Sequence, residues 1–507
     1  MSTVERVSSQ RSIITGTVWN LLGRGLPMLV TLVMTPILIG ELGLERWGLF
    51  TLGLALTGMA GVLDLGIGPA LTRAVAERIG LGREGETPDI IVAAVVIVTA
   101  VSSLAAAVVW LAMPAIIDGL LPAQSTLRDE AVIAFRLLTL AVPAIVLSST
   151  LWGALAAYQL LRAGNLLSIP LNAASTIVIA LVLLVWNSLI PVMALLVLSR
   201  IAVAAGFCAI LSRQLPGLRR HPRLRYEELP PLLRMGSWSS VATITGWIVA
   251  YGDRVLVGTL RSLVEVSYYA TPLDLVMRLG ILPVAISTPL TPAIAAALAS
   301  RPEHASTLLQ RCTALLFGEA VCITAVLVCF APELLSLWLG VEFSAASAGV
   351  LRLLAIGIFF NHMTVASGAM IFGAGRFDLD SKLALVQLLF TVPASVALIV
   401  SFGIEGAAAA FVLRQICYFV LQWIAAARLN GDVFHFMRRT MAFVCFAGLA
   451  LFLCTRLESL PARGVAAGLA LVLLPPAVAM LMHPRDRLAV HRGAMAWFGK
   501  LSPRATP

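Results

Sequence analysis

The sequence predicts an all-α, polytopic integral membrane protein with about 14 transmembrane helices: two six-helix lobes followed by a C-terminal hairpin. Three observations lead there. Of the 507 residues, 59% are hydrophobic and only 12% are charged, with mean hydropathy +0.95. That charged fraction is about half that of a soluble domain. Apolar runs then follow one another along the chain, each near the roughly 20 residues that cross a bilayer at 1.5 Å rise. Finally, short patterns in the first half recur in the second at offsets of 214–218 residues.

The elements can be justified in order. Apolar runs fall at about 13–40, 47–68, 90–117, 131–157, 165–186, 189–211, 236–260, 266–296, 309–330, 346–371, 382–402, 405–428, 440–455 and 462–482. The first two frame a polar turn, Glu41 to Gly48, and the first is interrupted by Gly23, Arg24, Gly25 and Pro27. Broken backbone and charge at membrane depth are tolerated only against protein or a wet cavity, so this hairpin is expected to wall a pathway. The polar stretch Met1–Arg11 is unlike a secretory signal. The last two runs are short and are read as one hairpin crossing the bilayer, joined through Arg456 and Glu458.

Charge sets the orientation. With the N-terminus on one side, tails and loops on that side hold 24 of the 36 Lys and Arg, the opposite loops hold 5, and 7 lie within spans. By the positive-inside rule both termini are cytoplasmic. The net charge of +10 therefore reflects topology, and no nucleic-acid partner is implied. The seven cysteines lie in or beside apolar runs without paired or metal-like spacing, and read as small packing residues.

The repeat defines the lobes. Arg136-Leu137-Leu138 recurs as Arg352-Leu353-Leu354, Arg200 as Arg414, and Leu38-Ile39-Gly40 as Leu256-Val257-Gly258. Gly153 to Arg162 is answered by Gly368 to Arg376. Six spans separate the copies, so the two halves share one orientation, related by an axis along the membrane normal. The expected organisation is an N-terminal lobe at 1–211, a basic cytoplasmic linker at 212–235, a C-terminal lobe at 236–432, helices 13–14 at 433–483 and a cytoplasmic tail at 484–507.

Leaving aside those within three residues of a span end, seven arginines lie within spans: Arg24, Arg136, Arg200, Arg254, Arg278, Arg352 and Arg414. At about 3 kcal/mol each at helix centre, exposing all of them to lipid would cost on the order of 20 kcal/mol. They must face the interior, pair with acids or snorkel. Arg136 and Arg352, near the outer ends of their helices, suit snorkelling; Arg200 and Arg414 suit lobe packing as well as ligand contact. Arg24 sits near mid-span between two glycines that would let a ligand approach, and Arg278 lies four residues after Asp274, on the same helix face. Together with Arg254, these are the candidates for a diphosphate, whose oxygens the guanidinium fork bonds in pairs. Ion pairing within the protein is the other reading. Asp64, Asp253, Asp274 and Glu319 are candidate ion-coupling or pairing sites, Asp64 also as a helix cap or partner of Arg73. Of six scattered histidines only His362 lies within a span, so no metal site is indicated. Walker, Ser-His-Asp and CxxC patterns are missing from the sequence, which gives no support for an ATPase or hydrolase.

Several stretches carry a resemblance. Thr35-Pro36-Ile37-Leu38-Ile39-Gly40-Glu41-Leu42-Gly43, Trp47-Gly48-Leu49-Phe50, Leu63-Asp64-Leu65-Gly66 and Thr72-Arg73 resemble the opening of polysaccharide-type flippases, the O-antigen and exopolysaccharide flippases of the multidrug/oligosaccharidyl-lipid/polysaccharide exporter superfamily. Tyr251 to Gly258, Tyr268-Tyr269-Ala270 and Gly403 to Ala408 fit the same family, so that the likeness spans roughly residues 12–430. It implies two six-helix lobes around a cationic cavity and no cofactor. It further implies outward movement of a polyprenyl-diphosphate-linked glycan across the bacterial cytoplasmic (inner) membrane by alternating access. Membrane lipids, a polysaccharide polymerase and a chain-length regulator would be the partners. Span 7 departs from the pattern in having Trp247 and Tyr251 but no arginine before Arg254, so cavity charge falls to Arg24 and Arg278. A drug or small-cation exporter of the same superfamily would want acids there. A glycan polymerase or ligase would want a large outer loop, whereas the outer connections near 118–130 and 331–345 are short. A scaffold subunit of an export complex would tolerate loss of the buried arginines.

Overall fold

The apolar runs fold as helices, because a chain in lipid must satisfy its own backbone groups. The computed structural model describes residues 10–64, 66–121, 126–219, 229–287, 290–300, 302–429, 431–457 and 459–482. Among the described residues no strand occurs, and the chain is an all-α, multi-pass membrane protein.

The first part comprises α1 (Gln10–Leu63), α2 (Ile67–Gly80), α3 (Thr87–Leu120), α4 (Arg128–Thr139), α5 (Ala141–Ala157), α6 (Leu161–Leu183), α7 (Leu189–Gln214) and α8 (Leu229–Leu260). After these come α9 (Leu263–Arg278), α10 (Ile281–Ser287), α11 (Leu290–Ser300), α12 (Pro302–Leu339) and α13 (Val341–Gly373). The chain ends with α14 (Phe377–Leu429), α15 (Gly431–Cys454) and α16 (Leu460–Leu481). The expected C-terminal hairpin is α15 and α16.

Two helices are too long for one crossing. Helix α1, 54 residues, would run about 80 Å if straight, against roughly 30 Å of hydrocarbon. It breaks at Gly43 (φ 75°, ψ 165°), so the polar turn expected over Glu41–Gly48 contracts to a single glycine in a conformation that a side chain would strain. Helix α14, 53 residues, breaks in the same way at Gly403 (φ 61°). Other runs divide further than hydropathy suggests. The run at 131–157 splits into α4 and α5 at Leu140, and the run at 266–296 into α9, α10 and α11, with Pro272 inside α9.

The chain forms two compact units. Unit 1 holds residues 1–271 and 399–404, and unit 2 holds 272–398 and 405–507. The sequence placed its lobe boundary in the linker at 212–235, whereas α8 and the first half of α9 pack with unit 1. Small residues make that packing possible. A Cβ on Gly48 would lie 2.2 Å from the Leu263 carbonyl oxygen, and one on Gly58 would lie 2.5 Å from the Tyr251 ring. Three hydrogen bonds then join α1 to α8 and α9: Trp247 Nε1 to the Ala55 carbonyl (2.8 Å), the Ser267 hydroxyl to the Leu44 carbonyl (2.6 Å), and Trp47 Nε1 to Thr271 Oγ1 (2.8 Å).

Elsewhere in unit 1, α2, α3, α5 and α7 enclose a core around Ile67, Leu71, Ile91, Val146, Leu155 and Phe207. In unit 2, α13 is the most enclosed helix, with Phe359, Phe360, Phe419 and Trp423 forming a run of ring contacts between α13 and α14. Large apolar side chains are also exposed, Leu111 at 76%, Leu389 at 72% and Val472 at 71% among them. On a soluble surface such a density would drive association; on a membrane protein it is the lipid-facing belt.

Candidate functional site

In unit 1, Asp253 and Arg254 stand side by side on α8, each 4% exposed. The Arg254 guanidinium carbon lies 5.3 Å from the Tyr251 ring centroid, a cation–π contact strengthened by burial. Asp253 accepts a hydrogen bond from the Tyr269 hydroxyl on α9 at 3.2 Å. Two adjacent charges in an apolar hairpin are thus both taken up by tyrosines one helical turn away or on the neighbouring helix.

Asp64 closes α1 and caps α2. Its Oδ2 accepts from the Gly68 amide (3.3 Å) and the Ser149 hydroxyl (3.5 Å), its Oδ1 from the Thr150 hydroxyl (2.9 Å), and its carbonyl from the Ile67 amide (2.8 Å). These bonds tie the start of α2 to α5, while Arg73 is exposed. The helices touch closely here: a Cβ on Gly153 would fall 2.4 Å from the Gly68 carbonyl oxygen.

Each of the four repeat arginines leans on a group in its own unit. Arg136 lies over the Trp110 ring at 5.8 Å and donates to the Trp110 carbonyl at 3.3 Å. Arg352 donates to the Thr455 carbonyl at 3.3 Å, at the end of α15. Arg200 donates to Asn172 Oδ1 at 3.2 Å, and buried Arg414 lies 5.3 Å from the Phe411 ring centroid. The sequence pairs these residues by position, yet the partners differ in kind. Arg136 rests on an indole of α3, Arg352 on the hairpin that only the second half carries.

Asp274 and Arg278 are half-buried, one turn apart at the end of α9. Arg278 occupies the last turn, where a positive charge also meets the free carbonyl end of the helix. The backbone of Arg24 lies within α1, and its side chain is outside the described residues, as are the tail from 483 onward and residues 220–228 of the basic linker.

Glu319 on α12 has a partner the sequence did not suggest. Its Oε2 lies 3.0 Å from Nδ1 of His362 on α13. A second unforeseen pair holds the hairpin: Arg463 on α16 donates to both carboxylate oxygens of Glu333 on α12 (2.8 and 2.9 Å) and to the Cys329 carbonyl (3.0 Å). No local pattern marks either pair, since the partners are 43 and 130 residues apart. Between α12, α15 and α16 runs an apolar groove of about 490 Å³, lined by residues including Phe317, Val321, Phe443, Leu451, Leu469 and Met480. Among the described residues no group of three or more His, Cys, Asp or Glu could hold a metal ion.

Comparison with known proteins places these features. Residues 13–298, more than half of the chain, match the family described as polysaccharide biosynthesis protein, and residues 239–397 match the MatE family. A Shigella flexneri protein named as a candidate O-antigen transporter is 23% identical over 423 residues, covering 82% of this chain and 97% of the relative. Among solved structures, the lipid II flippase MurJ in an inward closed conformation aligns with TM-score 0.67 at 12% identity, over 91% of this chain and 98% of the other. An inward-facing multidrug resistance MATE family transporter aligns with TM-score 0.66 at 17% identity, over 81% and 98%. These relatives are transporters and flippases, not enzymes, and their fold is the fold seen here.

Proposed function

The chain belongs to the polysaccharide biosynthesis protein family, and from that premise we propose that it flips a polyprenyl-diphosphate-linked oligosaccharide across the cytoplasmic membrane. The observation that carries the reading is the family match over 13–298, which takes in all of the first six expected spans and the arginine-bearing α8 and α9. The glycan supplied would serve O-antigen, capsule or exopolysaccharide synthesis, with a polymerase and a chain-length regulator acting on the product. Both termini face the cytoplasm, a reading supported by the 24-to-5 split of basic residues.

Arg24 and Arg278 bind the diphosphate, and Asp274 orients Arg278 from one turn away. Guanidinium suits the task, since it stays charged at any cellular pH and bonds two phosphate oxygens at once. Arg254, buried against Tyr251, supports the charge of the site from within α8. The polyprenyl chain stays in lipid, where the groove between α12, α15 and α16 offers an apolar wall. Movement follows alternating access, with one repeat rocking against the other about a central site.

The MatE match over 239–397 favours a second reading, export of a drug or small cation. One experiment separates the two. Proteoliposomes carrying a fluorescent polyprenyl-diphosphate oligosaccharide are compared for wild type, Arg24→Ala and Arg278→Ala, each verified as inserted and folded. Flipping by wild type with at least about a tenfold loss in either variant supports the diphosphate site; the loss of one charge-assisted bidentate contact is worth roughly that factor. Equal rates in all three would make those arginines structural. Inactivity of wild type towards the lipid, with uptake of organic cations, would favour the exporter.

A further inference from the structure

Unit 2 buries a carboxylate and an imidazole against each other in surroundings that packing alone would fill with hydrocarbon. His362 is fully buried, and the Glu319 side chain is 14% exposed. Their contact uses Nδ1 and Oε2. The remaining atoms of the pair, His362 Nε2 and Glu319 Oε1, are also buried and meet no hydrogen-bond partner among the described residues. Around them the contacts are apolar. Phe317, two residues before Glu319, meets Phe359 edge-on at 6.1 Å and Phe443 at 5.4 Å, and Gly318 packs on Val478. Replacing a buried ionisable pair with apolar residues of similar volume is generally neutral or stabilising, so stability does not account for this one. The internal repeat supplies the comparison. At an offset of 216 residues, Glu319 corresponds to Ser103 and His362 to Val146, and Val146 is fully buried in the core of unit 1. One half of the chain packs valine where the other keeps a titratable group.

We propose that Glu319 and His362 form a proton-binding site that takes up and releases one proton in each transport cycle. A neutral imidazole beside an ionised carboxylate carries one net negative charge. Adding a proton makes the pair neutral overall, as an imidazolium–carboxylate pair or as imidazole with carboxylic acid. The incoming proton bonds to Nε2 or Oε1, the two atoms the pair does not use between its members, and leaves from the same pair to water. Because the two groups sit on different helices, gain or loss of that charge acts directly on the packing of α12 against α13. Among the described residues, few other charges bear on the site. On α12, Cys322 lies three residues beyond Glu319, on the same face. The sequences of α10 and α11 contain no titratable residue. Arg352, ten residues before His362 on α13, is tied to Thr455, and Arg463 on α16 is tied to Glu333. On α15 Arg438 is exposed. Helix α14, which meets α13 through Gln415 and Asn361 (3.0 Å), brings buried Arg414 as well as Tyr418 and Asp380, which bond each other at 2.7 Å.

Only the transport arm of the test rests on the flippase reading. In the first arm, the full-length protein in nanodiscs is labelled with ¹⁵N at histidine and titrated by NMR between about pH 5 and 9, with His362 assigned through His362→Gln. The site predicts a one-proton change at His362 whose midpoint moves by about tenfold in proton affinity in Glu319→Gln, one pH unit. His362 signals that do not change across this range, or change in the same way in Glu319→Gln, overturn the proposal. Intrinsic tryptophan fluorescence, to which Trp423 contributes with its Nε1 donating to the Met363 carbonyl beside His362, reports whether each variant is folded. In the second arm, proteoliposomes hold the fluorescent polyprenyl-diphosphate glycan under an imposed proton gradient. Wild-type flipping should rise about tenfold with the gradient, and Glu319→Gln and His362→Gln should lose that rise. A wild-type rate independent of the gradient overturns coupling. If wild type moves no lipid, the flippase reading fails, and the NMR arm still decides the proton site.

Discussion

Arg463 shows what a single residue can secure at the end of a membrane protein. Its guanidinium spans both oxygens of Glu333 and the Cys329 carbonyl, so α16 is fixed to α12 by three charge-assisted bonds. The Arg463 side chain is 8% exposed and that of Glu333 42%, so loss of the arginine removes the bonds but leaves a carboxylate that solvent reaches. Arg463→Ala is therefore expected to lower unfolding stability by about 1–2 kcal/mol, the low end for hydrogen bonds to charged groups. Adding Glu333→Ala should cost little more, because the bonds are already gone. A double-mutant cycle by thermal denaturation in detergent measures the coupling, and additive losses would show that the pair contributes nothing beyond its parts. Asp64 is expected to behave more mildly. Asp64→Ala removes a cap together with the Thr150 bond, for a loss of about 1–2 kcal/mol; equal melting temperatures would refute its role in joining α2 to α5.

At the scale of the helix, close approach decides more than hydropathy does. Gly48 meets the Leu263 carbonyl, a backbone atom that cannot swing aside, whereas Gly58 meets a tyrosine ring that can rotate. Gly48→Ala is thus expected to be the costlier change, by about 1–3 kcal/mol as for other overpacked sites. Comparing melting temperatures of Gly48→Ala and Gly58→Ala tests the ordering, and the reverse order would sink it. Such contacts also mark the limit of what the sequence could tell. Apolar runs, the clustering of basic residues in alternate loops and the hairpin at α15 and α16 are local signals, and all can be read along the chain. Gly43 lay within the expected turn, though nothing in hydropathy said that one residue would suffice. The bonds from Trp47 to Thr271 and from Glu319 to His362 join residues 224 and 43 apart, and neither periodicity nor composition encodes such a pairing. His362 seemed isolated because its partner lies on the preceding helix, at a depth set by packing.

For the molecule as a whole, the spacing of its breaks follows the repeat. Gly43 in α1 and Arg261 between α8 and α9 are 218 residues apart, and Asn187 between α6 and α7 lies 216 residues before Gly403 in α14. Within unit 1 the first of these hairpins is bound to its counterpart by the Leu44–Ser267 and Trp47–Thr271 contacts. With both termini cytoplasmic, as proposed above, that junction lies at the outer face. Under the alternating access proposed above, two such related hairpins part whenever the site opens outward. A direct test follows. After removal of the seven free cysteines, Leu44→Cys and Ser267→Cys are joined by a short cleavable thiol cross-linker. Flipping in proteoliposomes should fall by more than about tenfold, as expected when a motion on the reaction path is blocked, and return when the linker is cleaved. Each single cysteine treated alike should keep its rate. Transport that continues through the cross-linked junction would mean that the two hairpins move as one body and that the opening lies elsewhere.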